Sequence, residues 1–388
     1  MKIKEIRAIE IDLPPKPKTQ PREPSRAETI KMNRPISRYP RLKTEANTAN
    51  SADQRRPACI VTAEDGTWGF GMSVKAGPVI RIINDYFAPN LVGENCMATE
   101  KLWDMMVRLS ASYGSTGLSS YAISAVDVAL WDLKGKLLQR PVYELLGGPQ
   151  KEQIFCYATG FDTAWYMELG FKATKIFTPY GPQDGLEGLI KNEELVAQTR
   201  EIAGDEVELM LDCWMATDVE YIVRLAERLR PYRLKWIEEY VPPEDWSGYE
   251  TARQRLPWQT LASGEHWYLP PTFAMAANRR WVDIFQPDVL WGGGITAAVK
   301  ICHIAEAAGI SVITHAGMNY PFGQHLAYAM PAIVWGERSE GVSAPGVPLE
   351  EMVRLPGTPV IKDGYVKPSD APGFGLEIDE AWLESVAV

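Results

Sequence analysis

The chain lacks a long apolar run, an excess of positive charge and any closely spaced cysteine pair. No apolar stretch in its 388 residues approaches the roughly 18 residues that a membrane-spanning helix needs. The formal net charge of −10 argues against nucleic acid or an anionic membrane surface as a partner. The composition is otherwise that of an ordinary globular protein.

Cysteine is also sparse, with five residues, an odd number, and none in C-x-x-C spacing. Reduced thiols in a cytoplasmic protein are the simplest interpretation. The opening segment "MKIKEIRAIEIDL" alternates polar and apolar residues like a strand. It has neither the continuous apolar core nor the small-residue cleavage site of a secretory signal. We therefore expect a cytoplasmic location.

Six short apolar runs each end in a side chain suited to metal binding or proton transfer. These ends recur every 22 to 27 residues, at Asp212, Glu238, Glu265, Asp288, His315 and Glu337. Helical patterns lie between them, and two further runs end near Tyr157 and Lys175. Eight short apolar strands separated by helices predict a parallel sheet that is covered on both faces.

Two closures of such a sheet fit this pattern. A doubly wound open sheet gathers its site at one switch point, whereas a (β/α)₈ barrel brings the C-terminal end of every strand to one mouth. Only the barrel lets all six polar ends converge. We therefore predict an α/β fold with a modified, TIM-like (β/α)₈ barrel over residues 150–345.

The remaining segments predict an α+β cap over the barrel mouth. Residues 1–140 form most of it, with a strand at the start, a hairpin turned by Asp65-Gly66 and an amphipathic helix in "YAISAVDVALWDLKGKLL". A polar, Pro- and Arg-rich segment at about 13–57 has the length and composition of a lid. Residues 346–388 contain another Asp-Gly hairpin and are expected to complete the cap.

Three of the six strand ends predict a metal site. A lone Asp212 would more commonly cap a helix or form an ion pair. Asp212, Glu238 and Glu265 on successive strand ends, however, would repel one another strongly unless a cation lay between them. Oxygen ligands with room for water and substrate favour Mg²⁺ over Zn²⁺. Cys213 directly follows one ligand and should point away from the site.

The next two ends predict a base. His315 and Asp288 lie on neighbouring strands, and a carboxylate beside an imidazole fixes its tautomer and raises its basicity. A base beside a Lewis acid suits removal of the proton α to a carboxylate.

The sequence resembles the mandelate racemase subgroup of the enolase superfamily along nearly its whole length. The motifs that carry this resemblance are "AVDVALWDLKGKLLQRPVYELLGG", "LMLDCW", "KWIEE", "SGEH", "QPDVLWGGGIT" and "ITHAG". Within the subgroup, "YATG", "YGPQDG", "LKWIEEYVPP" and "APGFGLE" are similar to the L-rhamnonate dehydratases.

The resemblance implies Mg²⁺ ligation by Asp212, Glu238 and Glu265, a His315–Asp288 dyad and a Glu337 directed at the substrate. In "WIEE" it is Glu238 that matches the family ligand, and Glu239 is then expected behind the ligands or at the surface. The implied reaction is hydro-lyase chemistry on a small-molecule acid sugar, L-rhamnonate or a related aldonate. A homo-oligomer is expected.

One position departs from the racemases of the subgroup, which end the second barrel strand with Lys-x-Lys. Here "ATKIF" keeps Lys175 but has Phe177 in place of the second lysine. One face of the substrate therefore lacks an obvious base, and racemisation needs two. This favours dehydration to a 2-keto-3-deoxy acid, with proton and hydroxyl leaving from the same face.

Substrate contacts and two other functions stay open at this stage. The candidate contact residues are Arg34, Arg38, Lys175, Trp214 and His266, and His325 fits a structural or a functional role. The first alternative is another acid-sugar dehydratase, an epimerase or a cycloisomerase on the same scaffold, which a Lys175 acting as a base would favour. The second is a non-catalytic sugar-acid binding protein, which has no need of a base.

Overall fold

The computed structural model describes residues 1–14, 26–39, 41–42, 55–339 and 342–388. The predicted lid segment therefore lies partly outside the described residues. No helix in the described ranges is long and apolar enough to cross a membrane. All five cysteines are buried and unpaired, as expected of reduced thiols.

An antiparallel sheet forms the cap. Its three strands, in spatial order, are β1 (Ile3–Asp12), β2 (Arg55–Ala63) and β3 (Trp68–Met72). The predicted turn at Asp65-Gly66 joins β2 to β3, and Gly66 has φ of 88°, which glycine adopts without steric cost.

The barrel contains, within the described ranges, eight parallel strands, which confirms the predicted fold class. They are β4 (Ile154–Thr159), β5 (Ala173–Phe177), β6 (Glu208–Asp212), β7 (Ile237–Glu238), β8 (Leu261–Ser263), β9 (Ile284–Phe285), β10 (Ser311–Val312) and β11 (Gly336–Arg338). Hydrogen bonding runs in sequence order from β4 to β10, and β11 pairs with β4. A parallel bridge between Val312 and Ile333 completes the circuit.

Helices cover the outside of the barrel. They span Thr163–Glu168, Gly185–Ala203, Val219–Leu229, Trp246–Arg255, Leu269–Arg279, Gly294–Ala308 and Pro321–Ala329. Short 3₁₀ helices span Pro182–Asp184, Arg230–Tyr232 and Leu349–Met352. Local signals place these elements. For example, the Asp218 side chain accepts a hydrogen bond from the Tyr221 amide and so caps one helix N-terminus.

Strand alternation decides which side chains enter the barrel. In β6, Leu209 and Leu211 pack in the core between sheet and helices, whereas Met210 belongs to the cluster inside the barrel. Asp212 has the parity of Met210 and points inward. Cys213 packs with the two leucines, so it points away from the site as predicted.

The cap also contains helices, and the prediction that the longest of them is amphipathic is wrong. The helices span Arg26–Thr29, Ala76–Arg81, Ala88–Leu91, Thr99–Leu109, Leu118–Leu138, Val142–Leu145 and Glu380–Val386, with a π-helix at Ile82–Phe87 and a 3₁₀ helix at Pro35–Arg38. The helix Leu118–Leu138 is not amphipathic. It is buried on most sides, including Asp127 and Asp132, because it contacts β2 and β3 as well as the barrel helix Gly294–Ala308.

The C-terminal segment contacts both parts. Its strand β12 (Tyr365–Val366) pairs antiparallel with β4. Near the end of the chain, Ala387 forms an antiparallel bridge with Ile11 of β1. The domain boundaries at about 140, 150 and 345 stay a prediction.

Candidate active site

A cavity of about 350 Å³ lies where the C-terminal strand ends meet the cap. Five of the six predicted strand-end groups line it, and these are Asp212, Glu265, Asp288, His315 and Glu337. The sixth, Glu238, is fully buried and does not line the cavity. Convergence of the strand ends is thus what the barrel topology provides.

His315 and Asp288 form a hydrogen-bonded pair. Nδ1 of His315 lies 2.8 Å from Oδ2 of Asp288, and Oδ1 of Asp288 accepts the Leu290 amide at 2.5 Å. Burial alone would lower the pKa of His315, but Glu265, Asp288 and Glu337 outweigh it and hold that pKa well above its usual value. Because Asp288 engages Nδ1, the nitrogen left for proton transfer is Nε2, which lies 3.4 Å from Oε1 of Glu265.

The negative charges of two carboxylates on the cavity wall, Asp212 and Glu265, are not fully balanced by neighbouring cations. Burial raises the pKa of Asp212 to about 7, and burial likewise raises the pKa of Glu265 to about 7. Within the described part of the chain, Glu265 Oε2 is buried without a hydrogen-bond partner. A cation bound on the cavity side would balance both carboxylates and would give the buried Glu265 oxygen a partner.

Lys175 lies beneath the cavity lining. Its Nζ is 2.8 Å from Oε1 of Glu337 and 3.4 Å from Oδ2 of Asp212, and it also contacts Oε1 of Glu238. Burial lowers the pKa of this ammonium, but the three carboxylates dominate and raise it well above the usual value. The structure therefore places Lys175 as a buried counter-ion, where the sequence had left its role open.

Glu238 and Glu239 point in different directions. Both oxygens of Glu238 are engaged, Oε1 with Lys175 and Oε2 with Gln286 Nε2 at 2.6 Å and Trp236 Nε1 at 2.9 Å. Glu239 is buried, not at the surface, and both of its oxygens lie 2.9 Å from Nδ1 of His266.

Two overlapping sets of groups suit a cation, and they share Glu265. The predicted set is Asp212, Glu238 and Glu265. Among the described residues, only the second set, Glu239, Glu265 and His266, brings three possible ligand atoms within 4.8 Å of one another. A set of carboxylate oxygens alone fits Mg²⁺, whereas an imidazole nitrogen suits transition metals better. The predicted set therefore has the chemistry that Mg²⁺ requires.

Strained backbone accompanies the proposed site residues. Ala316 follows His315 with φ of 48°, Glu239 follows Glu238 with φ of 45°, and Trp214 has φ of 42°. Residues with side chains adopt this left-handed region at an energetic cost, and such residues cluster at functional sites.

The candidate substrate contacts divide into two groups. Arg34, Trp214 and His266 line the cavity, and the Arg34 guanidinium lies 5.4 Å from the centroid of the Trp214 ring. Lys175 and Arg38 are absent from the lining, and Arg38 is exposed at the end of its 3₁₀ helix.

Some residues that line the cavity were not predicted from the sequence. Arg56, Tyr121 and Trp291 all line the cavity. Arg56 is the second residue of β2 and lies within the predicted lid segment at about 13–57, and its place in that Arg-rich segment was the available signal. Trp291 belongs to "QPDVLWGGGIT", a motif that carried the family resemblance but gave this tryptophan no role.

Trp291 links the cap to the dyad. Its indole nitrogen donates to the Glu265 carbonyl at 2.8 Å, and its ring centroid lies 5.2 Å from that of His315. From the helix Leu118–Leu138, the Ser120 hydroxyl donates to the Trp291 carbonyl at 2.6 Å and Ser124 Oγ accepts the Gly293 amide at 2.9 Å. The cap thus holds the loop that follows Asp288.

Two family models match the chain. The one described as "Enolase C-terminal domain-like" matches residues 162–382. The one described as "Mandelate racemase / muconate lactonizing enzyme, N-terminal domain" matches residues 36–147.

Similar proteins include L-rhamnonate dehydratases. The chain is 37% identical over 350 residues to the L-rhamnonate dehydratase of Saccharopolyspora erythraea, covering 89% of this chain and 88% of that protein. It also resembles the crystal structure of L-rhamnonate dehydratase from Gibberella zeae, with a TM-score of 0.88, 30% identity and coverage of 100% and 96%. A structure of the Gibberella zeae enzyme complexed with Mg has a TM-score of 0.87, 29% identity and the same coverage.

Proposed function

Because the chain belongs to the mandelate racemase and muconate lactonizing enzyme family of the enolase superfamily, we propose that it is a Mg²⁺-dependent acid-sugar dehydratase. Its proposed substrate is L-rhamnonate or a related aldonate, and its product a 2-keto-3-deoxy acid. The observation that carries the proposal is the His315–Asp288 pair beside Asp212 and Glu265 in one cavity.

Asp212, Glu238 and Glu265 are the proposed metal ligands. When bound, the cation stabilises the negative charge that develops on the substrate carboxylate as the α proton leaves. Asp212 and Glu265 already face the cavity. Glu238 is held against Lys175 and Gln286, and its proposed role as a ligand requires one of its oxygens to exchange these partners for the cation.

His315 is proposed to move the proton twice. Its Nε2 takes the proton from C2 of the acid and returns it to the hydroxyl on C3, so that the C2–H and C3–O bonds break and water leaves. The resulting enol tautomerises to the 2-keto acid. Asp288 holds the imidazole in the required tautomer throughout.

Glu337 is proposed to bind a substrate hydroxyl as an acceptor. Burial would raise its pKa, but Lys175 and His315 outweigh burial and lower that pKa to about 2. Thr159 and the Ala316 amide donate to its two oxygens at 2.5 and 2.8 Å. The group is thus kept as a carboxylate, which accepts hydrogen bonds and does not donate them.

Apolar side chains in the lining support a substrate with a methyl terminus. Met32, Phe177, Leu290 and Phe322 line the same cavity as the acids. A 6-deoxy acid such as L-rhamnonate places a methyl group where a hydroxyl would lose hydrogen bonds to water.

A substrate screen tests the proposal. Purified protein with Mg²⁺ is assayed against aldonates and aldarates, including L-rhamnonate and its 6-hydroxy analogue L-mannonate, for formation of 2-keto acid. We expect L-rhamnonate or a close relative to react, and excess chelator or His315→Asn to abolish the signal. No 2-keto acid from any acid sugar, with the fold intact, would refute it.

A further inference from the structure

Asn33 joins the cap to two loops of the barrel. Although polar, it is only 1% exposed. Its amide donates to the Thr178 carbonyl at 2.8 Å, its side-chain nitrogen donates to the Ala216 carbonyl at 3.2 Å, and its side-chain oxygen accepts from Gln183 Nε2 at 2.9 Å. Three partners on another part of the chain thus hold one residue of the predicted lid.

The partners lie just beyond two neighbouring strand ends. Thr178 directly follows β5, which ends at Phe177, and Ala216 follows β6, which ends at Asp212. Phe177 and Asp212 are paired in register and both line the cavity. Asn33 is therefore anchored beside the part of the mouth that carries a proposed metal ligand.

The residues on either side of Asn33 face the cavity. Met32 and Arg34 line it, whereas Asn33 itself does not. Arg34 lies over the Trp214 ring, on the same loop that holds Ala216. Because neighbouring residues in an extended segment point in different directions, anchoring Asn33 sets where both neighbours lie.

We propose that Asn33 is a positioning residue that fixes Met32 and Arg34 over the barrel mouth and so selects the acid sugar. The selection of an acid sugar rests on the function proposed above; the anchoring does not. Asn33 makes no contact with the reacting atoms and acts only through its two neighbours.

Gly181 provides an independent observation. A methyl group at Gly181 would overlap the Asn33 side-chain nitrogen and would lie 3.0 Å from both the Ala216 carbonyl and Gln183 Oε1. The backbone of Gly181 has φ of −133° and ψ of −167°, an extended conformation that alanine also adopts. The glycine is thus required by the space that Asn33 occupies, and Gly181→Ala should displace the same contact.

Hydrogen exchange tests the anchoring without any substrate. In Asn33→Ala, amides of the peptide covering 30–39 should exchange roughly tenfold faster than in the parent protein, because two side-chain hydrogen bonds are lost. Gly181→Ala should give the same change. The matched control is Ile36→Ala, in the same segment but 41% exposed, which should exchange as the parent does. Unchanged exchange in both Asn33→Ala and Gly181→Ala would overturn the proposal.

Steady-state kinetics test the selection. With the best substrate from the screen, Asn33→Ala should raise KM roughly tenfold and change kcat by less than about threefold. The lost contacts would bind the substrate and the transition state equally well, and losing such contacts raises KM without changing kcat. The preference between L-rhamnonate and L-mannonate should weaken, while the unfolding midpoint stays near that of Ile36→Ala. If KM and the preference between the two acid sugars are unchanged while amide exchange is faster, Asn33 anchors the segment but does not select the substrate.

A double variant separates this contact from a general loss of structure. Once Asn33 is alanine, the methyl group at Gly181 no longer overlaps an amide and meets only the Ala216 carbonyl and Gln183 Oε1 at 3.0 Å, so the double variant should differ little from Asn33→Ala alone. Fully additive effects would contradict the shared contact. If Asn33→Ala fails to fold, Gly181→Ala alone carries the exchange and kinetic comparisons.

Discussion

The ammonium nitrogen of Lys175 lies 2.8 Å from Oε1 of Glu337, with both side chains almost fully buried. The same nitrogen contacts Glu238 and lies 3.4 Å from Asp212. One buried cation therefore balances three carboxylates under the cavity, and the proposed site depends on it.

Removing this cation should cost stability as well as activity. In Lys175→Met, the free energy of unfolding should fall by ~3–5 kcal/mol, because buried carboxylates lose their counter-charge, and turnover should be lost. Denaturant unfolding measures the first effect. Lys172→Met, an exposed lysine three residues earlier, is the control and should change stability little. Equal stabilities for the two variants would contradict this role.

Paired variants at Glu238 and Glu239 distinguish the two candidate cation sets. If Asp212, Glu238 and Glu265 hold Mg²⁺, Glu238→Gln should weaken Mg²⁺ binding by roughly 100-fold or more and abolish turnover. Glu239→Gln, which removes a charge whose hydrogen-bond partner is His266, should weaken Mg²⁺ binding by roughly tenfold at most. Titration calorimetry with Mg²⁺ measures both. The reverse order would assign the site to Glu239, Glu265 and His266.

The dyad predicts a specific loss of proton exchange. His315→Asn should lose turnover and exchange of the substrate α proton with deuterium oxide, while still binding substrate. Asp288→Asn should slow turnover by roughly 10²–10⁴-fold, because the imidazole loses the partner that fixes its tautomer. NMR of recovered acid reports the exchange. Unchanged exchange in His315→Asn would rule it out as the base.

Phe177 predicts the stereochemical outcome. A phenyl ring accepts no proton, and Lys175 on the same strand is occupied by carboxylates below the cavity. Neither Phe177 nor Lys175 therefore supplies a base for the face opposite His315. The reaction in deuterium oxide should give 2-keto-3-deoxy acid with no detectable C2 epimer of the substrate by NMR. A C2-labelled epimer would mean that a second base exists, and Lys175 would be the first residue to test.

His325 predicts a pH dependence of stability. Burial lowers its pKa to about 3, and its Nδ1 accepts the Tyr143 amide at 3.3 Å. The unfolded chain protonates this imidazole below about pH 6.5 while the folded protein does not, so stability falls as pH drops from 6.5 towards 3.

Replacing His325 should remove this part of the pH dependence. Between pH 7.5 and 5.0, the parent protein should lose ~2 kcal/mol more of its unfolding free energy than His325→Gln. Denaturant titrations at the two pH values measure the difference. His303→Gln, an exposed histidine, should leave the dependence unchanged. Parallel losses in the parent and His325→Gln would contradict the assignment.

Periodicity alone was enough to predict the barrel and most of its mouth. Apolar runs ending in Asp212, Asp288, His315 and Glu337 were recognisable because parallel barrel strands bring all their C-terminal ends to one side, whatever the details of packing. The pairing of His315 with Asp288 follows from their places on adjacent strands.

The directions of the two glutamate side chains in "WIEE" could not be predicted, because the backbone is irregular there. Strand β7 has only two residues, and Glu239 follows it with φ of 45°. The alternation of side chains that predicts directions in a strand stops there. Only the folded chain shows that Glu238 points to Lys175 and Glu239 to His266.

By itself, the sequence determined the fold class and the acids and His315 at the strand ends, because these depend on spacing along the chain, and its motifs indicated the family by resemblance. The tertiary structure decided which lysine balances those acids, which cap residues face the cavity and why Gly181 has no side chain. These depend on contacts such as Asn33 with Ala216, made between segments 183 residues apart. No local pattern encodes such a contact, since it exists only once the cap has packed on the barrel.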